Sequence, residues 1–86
     1  MTIAERVSEL LADAPIEERL RGREIEEGGK ILGLSEASVY RLIAQGRIGH
    51  VKLEGGRRTG HGRAGAVRVR LIDLVTFMVE NERRPA

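Results

Sequence analysis

The chain has no cysteine and no tryptophan, and only two prolines, one tyrosine and one phenylalanine in 86 residues. Without cysteine there is no disulfide framework and no thiolate metal site, and two histidines, His50 and His61, fall short of a structural metal centre. The apolar runs are a few residues long, too short for a bilayer-spanning helix. The start, Met1-Thr2-Ile3-Ala4-Glu5-Arg6, lacks the basic-then-apolar order of a secretory signal. The expected compartment is the cytoplasm. A single small domain of this length has little room for a deep substrate cleft, so function is expected on its surface.

Acid is missing from one place in particular. The net charge is only +2, but residues 1–45 carry nine acidic and six basic side chains, whereas residues 46–70 carry seven basic and one acidic. Between Glu54 and Asp73 there is no acid at all, and seven of the eleven glycines lie within 46–65. The middle of the chain is therefore a basic, glycine-rich segment between an acidic N-terminal half and a nearly neutral C-terminal stretch.

Apolar spacing divides the rest into elements. Ile3, Val7, Leu10 and Leu11 form one stripe of a helix over 2–14, opened by a Thr2–Glu5 capping box and stopped by Pro15. Residues 16–24, rich in Glu and Arg, read as a short helix or a linker. A second periodic stretch runs from Ile25 to Leu32 and ends at Gly33, with Gly28-Gly29 inside it as a conflict that implies a close neighbour. Ser35 caps a third helix carrying Val39, Leu42 and Ile43 inward and ending at Gly46. The two helices, joined by the tight Gly33-Leu34-Ser35 turn, have helix-turn-helix spacing. The period then changes to two at 50–53 and 66–70, predicting a hairpin around a long basic loop, and returns to helical at Leu71, Leu74, Val75, Phe77 and Met78.

The residues of that loop, Arg57, Arg58, Thr59, His61 and Arg63, place fixed positive charge on a backbone that can approach a phosphate chain or a minor groove closely. Lys52, Arg68 and Arg70 fall on the polar alternation of the hairpin, where they extend the phosphate grip or keep an edge strand soluble. On the third helix, Arg41 can donate bidentately to guanine and has no acid four residues away, since Ala37 and Gln45 stand there. Ser38 and Tyr40 can reach phosphates or bases. Glu36 suits the positive end of a helix or accepts from a cytosine amine. Gly60-His61-Gly62-Arg63-Ala64-Gly65 matches the dinucleotide fingerprint in letters only, because it leads into a strand and not a helix. No nucleophile, base and orienting acid assemble, so neither catalysis nor a cofactor is expected. Readers of single-stranded RNA need aromatic platforms that this chain lacks, which ranks duplex DNA first.

The run from Ile31 to Ile43, followed by Gly46 to Val51, resembles the excisionase family of winged helix-turn-helix proteins, relatives of the MerR DNA-binding domain. Arg68-Val69-Arg70, Asp73-Leu74 and Phe77 resemble the family's second wing strand and its following helix. The resemblance implies an α+β fold, a small winged helix-turn-helix with an extra N-terminal amphipathic helix. It divides the chain into residues 1–24 as that helix and an acidic linker, 25–82 as the DNA-binding domain and 83–86 as a tail. By the same resemblance the helix beginning near Ser35 enters the major groove with Ser35, Glu36, Ala37, Ser38, Tyr40 and Arg41. The wing, longer here than is usual in the family, grips the neighbouring backbone or minor groove. The implied role is a recombination directionality factor in the nucleoid, binding and bending attachment-site DNA cooperatively with an integrase as partner. A small MerR-like transcriptional regulator is the alternative, and an antitoxin-like or adaptor module a third reading. Outside the match, Ile3, Val7, Leu10 and Leu11 form a stripe that docks on its own domain, pairs with a second copy or meets a protein partner.

Overall fold

A computed structural model describes residues 1–53 and 66–83. Five helices occur in it: α1 (Ile3–Leu10), α2 (Ile16–Leu20), α3 (Ile25–Leu32), α4 (Glu36–Ala44) and α5 (Leu71–Glu80). Two strands, β1 (Val51–Leu53) and β2 (Ala66–Arg68), form an antiparallel pair with Val51 opposite Arg68, Lys52 opposite Val67 and Leu53 opposite Ala66. None of the helices among the described residues is long and apolar enough to cross a membrane.

The Thr2 cap forms as its spacing predicts, with the Thr2 hydroxyl accepting from the Glu5 N–H and the Glu5 carboxylate accepting from the Thr2 N–H. That second bond holds the Glu5 carboxyl below its ordinary value. Helix α1 is shorter than expected. It ends at Leu10, and the chain turns through Leu11–Ala14, where the Ala14 carbonyl accepts from Arg19 Nε at 2.8 Å. Pro15 does not merely stop α1; it stands at the N-cap of α2, where a missing N–H costs nothing.

Gly33 ends α3 in the left-handed conformation at φ 75°, and Ser35 then caps α4 by accepting from the Ser38 N–H. The close neighbours implied by Gly28-Gly29 are present. A Cβ on Gly28 would lie 2.7 Å from a Val69 methyl, and one on Gly29 would lie 2.6 Å from the Leu34 carbonyl oxygen. The two glycines therefore let α3 lie directly against β2's continuation on one side and the inter-helix turn on the other.

Two apolar clusters share α5. Ile25, Val39, Ile48, Val69 and Leu74 form the larger one, with Leu32, Leu42, Ile43, Val67 and Phe77 packed around it. On the other flank, Val7 and Leu11 of the N-terminal segment bury against Val75, with Leu71, Ile72 and Val79 nearby. One side of α5 thus completes the helix-turn-helix core while the other holds α1.

The hairpin is shorter than the alternation suggests. Val69 leaves β1 and pairs instead with Arg23 in an isolated antiparallel bridge, with both N–H···O bonds formed at 2.8 and 3.0 Å. Residues 16–24 are consequently more than a linker, since Arg23 supplies a third backbone partner to the hairpin root.

Candidate nucleic-acid interface

Helix α4 turns Val39 fully inward and leaves Ser35, Glu36, Ala37, Tyr40 and Arg41 exposed, Tyr40 by 49%. This orientation follows from sequence: Val39, Leu42 and Ile43 are the apolar positions, and Gly29 lets α3 approach close enough to hold the turn before α4. The exposed side divides into two stripes. Glu36 and Tyr40 line a groove of about 440 Å³ that runs between α4 and β2, shared with Glu24, Ile25, Ala66, Val67 and Arg68. Ala37 and Arg41 lie one position further round the helix.

Among the described residues, neither Arg41 nor Lys52 has a hydrogen-bond or ion-pair partner, so both cations face outward without an internal acceptor there. Ser35 and Ser38 are used differently. The Ser35 hydroxyl accepts from the Ser38 N–H at 3.2 Å and donates to the Ser38 hydroxyl at 3.0 Å, so it orders the first turn, and only Ser38 keeps a hydroxyl proton to offer outward.

The structure does not bring Lys52, Arg68 and Arg70 onto one polar face. Residues directly opposite in a ladder share a face, and Lys52 stands opposite Val67 while Arg68 stands opposite Val51, so Lys52 and Arg68 project to opposite sides. Arg68 lies over Gly22, its Cβ 3.0 Å from where a Gly22 side chain would begin, and donates to the Val67 carbonyl. The Arg70 guanidinium is occupied by Asp73, with Nε to Oδ2 and Nη2 to Oδ1 both at 2.9 Å. This bidentate pair raises Arg70 above its ordinary pKa. Arg70 is therefore a structural cation of the hairpin root and not a free phosphate ligand. Arg57, Arg58, Thr59, His61 and Arg63 lie outside the described residues.

In the N-terminal stripe, Val7 and Leu11 are buried on α5 and cannot serve a partner, whereas Ile3 and Leu10 remain about half exposed. Self-docking thus takes the centre of the stripe.

Two buried charged positions escaped the sequence reading. Arg23, 7% exposed, sits in a run with no apolar periodicity to signal burial. Its Nη1 reaches Glu27 at 3.0 Å and its Nη2 reaches the Glu18 carboxylate at 3.2 Å and the Glu18 carbonyl at 3.1 Å, while its buried Nε has no partner. The bond from Arg23 holds the Glu27 carboxyl below its ordinary value. Asp73 is the other, and a signal for it exists: an acid at the third helical position whose carboxylate accepts the Arg70 N–H is a capping pattern.

A profile described as a helix-turn-helix domain matches residues 24–81. The chain belongs to the helix-turn-helix domain family. Its match covers α3, α4, the hairpin and α5, and the family assignment makes this part a DNA-binding domain. Searches of curated proteins and of solved structures find no match to the chain.

Proposed function

We propose that the chain is a winged helix-turn-helix protein that binds duplex DNA sequence-specifically and acts as an excisionase-like recombination directionality factor. The observation that carries the DNA-reading part is the outward face of α4, where an unpaired Arg41 stands beside Tyr40 and the small Ala37 on a helix fixed by its cap and its tight turn. In this reading α4 enters the major groove and Arg41 donates two parallel hydrogen bonds to a guanine edge. Lys52 and the loop cations Arg57, Arg58 and Arg63, with Thr59 and His61, follow the adjacent backbone or minor groove as a wing.

Residues 25–82 form the DNA-binding unit in this proposal, and residues 1–24 an appended helix and acidic segment that keeps its surface from DNA. The excisionase role rests on the resemblance of the Ile31–Val51 and Arg68–Phe77 segments, and it implies bending of attachment-site DNA, self-association on adjacent sites and an integrase as partner. Within the N-terminal stripe, exposed Ile3 and Leu10 are the positions left for such contacts.

Titration of duplex DNA at several salt concentrations tests the binding reading. A steep fall of log affinity with log salt is expected, and a slope near zero overturns it. Excision by an integrase, assayed on attachment-site DNA with and without the protein, separates the directionality factor from a transcriptional regulator. Stimulation of excision supports the first, while repression of a promoter with no effect on excision supports the second.

A further inference from the structure

Helices α1, α4 and α5 each carry an acid in the first turn, and the fold uses two of the three carboxylates. Glu5 of α1 and Asp73 of α5 stand at the third helical position, where each accepts the N–H of its N-cap residue, Thr2 and Arg70. Glu36 stands at the first position of α4, where the Ser35 hydroxyl already accepts from the Ser38 N–H. Among the described residues the Glu36 carboxylate has no hydrogen-bond or ion-pair partner, and the residue is exposed. It lines the groove between α4 and β2 with Tyr40, and Glu24 brings a second carboxylate to that groove.

An unpaired carboxylate on a face that meets a polyanion is repelled by every phosphate, and the second carboxylate of the groove adds to the repulsion. What attracts it in the major groove is a base-edge amine, and two bases present one: cytosine at N4 and adenine at N6. Adenine carries the N7 acceptor beside its amine, which repels a carboxylate, whereas cytosine presents its amine without one. We infer that Glu36 is a specificity-determining residue that selects cytosine, its carboxylate accepting from the N4 amine. The inference rests on the reading that α4 lies in the major groove, and it extends that reading to a second base. Arg41 stands five residues further along, on the neighbouring stripe, about 7.5 Å up the helix axis. At about 3.4 Å per base step this is about two steps, so the cytosine lies near the guanine assigned to Arg41 without being its pairing partner. The same charge lowers affinity for duplexes that lack the cytosine, which widens the ratio between the right site and the rest.

The test uses the full chain and the variants E36A, E36Q and R41A, each put through selection from randomised duplexes. The enriched duplexes are then titrated one base change at a time. The wild type is expected to prefer cytosine at one position by about fivefold or more. E36A should bring the four bases level at that position, keep guanine at the other and bind unrelated duplexes more tightly than the wild type does. E36Q should trade cytosine for adenine, because an amide offers the donor and acceptor pair that the adenine edge matches. R41A should flatten the guanine position and leave the cytosine position as it is.

Wild-type cytosine preference retained in E36A or in E36Q overturns the inference, and Glu36 is then a helix-end charge whose removal shows only in thermal unfolding. A wild-type site with guanine and no preferred cytosine overturns it as well. Loss of cytosine in both variants, even without a gain of adenine in E36Q, identifies the carboxylate as the reader. Guanine preference kept in both variants reports an intact α4, so a changed site is not a misfolded helix. If the wild type enriches no sequence and its salt slope is near zero, the DNA reading falls and the inference with it. A guanine preference that R41A removes separates failure of the Glu36 assignment from that wider failure.

Discussion

Helices α1 and α4 are both short, both open on a hydroxyl cap, and both turn one valine inward, Val7 at 5% exposure and Val39 at 0%. They differ in what happens to their charges. On α1, Arg6 pairs with Glu9 at 2.8 Å and with Glu82 at 3.0 Å, which raises its pKa above the ordinary value. On α4, Arg41 has no ion-pair partner among the described residues. Arg21, Arg23 and Arg70 follow the α1 pattern, each held by a carboxylate. Among the described residues, then, Arg6, Arg21, Arg23 and Arg70 are spent on carboxylates within the fold, whereas Arg41 of α4, Lys52 of β1 and Lys30 of α3 are not.

The comparison breaks first at the core. L74A removes a fully buried side chain from the cluster that holds α4 and is expected to cost about 2–5 kcal/mol in urea unfolding, with loss of DNA binding. L11A acts on the smaller cluster and is expected to cost less and to leave the affinity for DNA in place. Equal losses of binding in the two variants would show that α1 supports α4 directly.

G29A meets a backbone oxygen that cannot rotate away, and about 1–3 kcal/mol of destabilisation is expected, measured by thermal unfolding. G28A meets side-chain methyls of Val69 and Leu74 and not backbone, and a smaller effect is expected. R41A should relax preference at one base pair by about 1–3 kcal/mol, read by selection from randomised sites. R6A, which breaks partly exposed pairs, should leave that selection unchanged.

The smallest effect is electrostatic. Because Arg23 depresses the Glu27 pKa in the folded state, the pair stabilises the fold above the ordinary carboxyl value of 4.5 and that contribution fades as the pH falls through the lower folded value. The melting temperature is expected to drop on acidification below about pH 4.5, and E27Q should remove part of that dependence.

Much of the fold was legible because its signals are local. Caps at Thr2 and Ser35, the C-cap at Gly33 and the inward set Val39, Leu42 and Ile43 each declare themselves within one turn of helix. What was not legible depends on partners distant in sequence. Val69 pairs with Arg23 instead of extending the hairpin, and nothing near either residue announces it. The alternation marked Lys52 and Arg68 as polar, but only the strand register places them on opposite faces. Arg70 looked like a free cation until the first turn of α5 brought Asp73 to it.

The ion pair between Arg6 and Glu82 joins side chains 76 positions apart, beside the cluster in which Val7 and Leu11 bury against Val75 of α5. Contacts so distant in sequence form late, after the local α3–α4 unit, because a long loop must close before they repay its entropy. Within α1 itself Val7 is the one buried residue. Helix α1 is expected to open locally more readily than α4, and hydrogen exchange of its amides at opening free energies below that of global unfolding checks it.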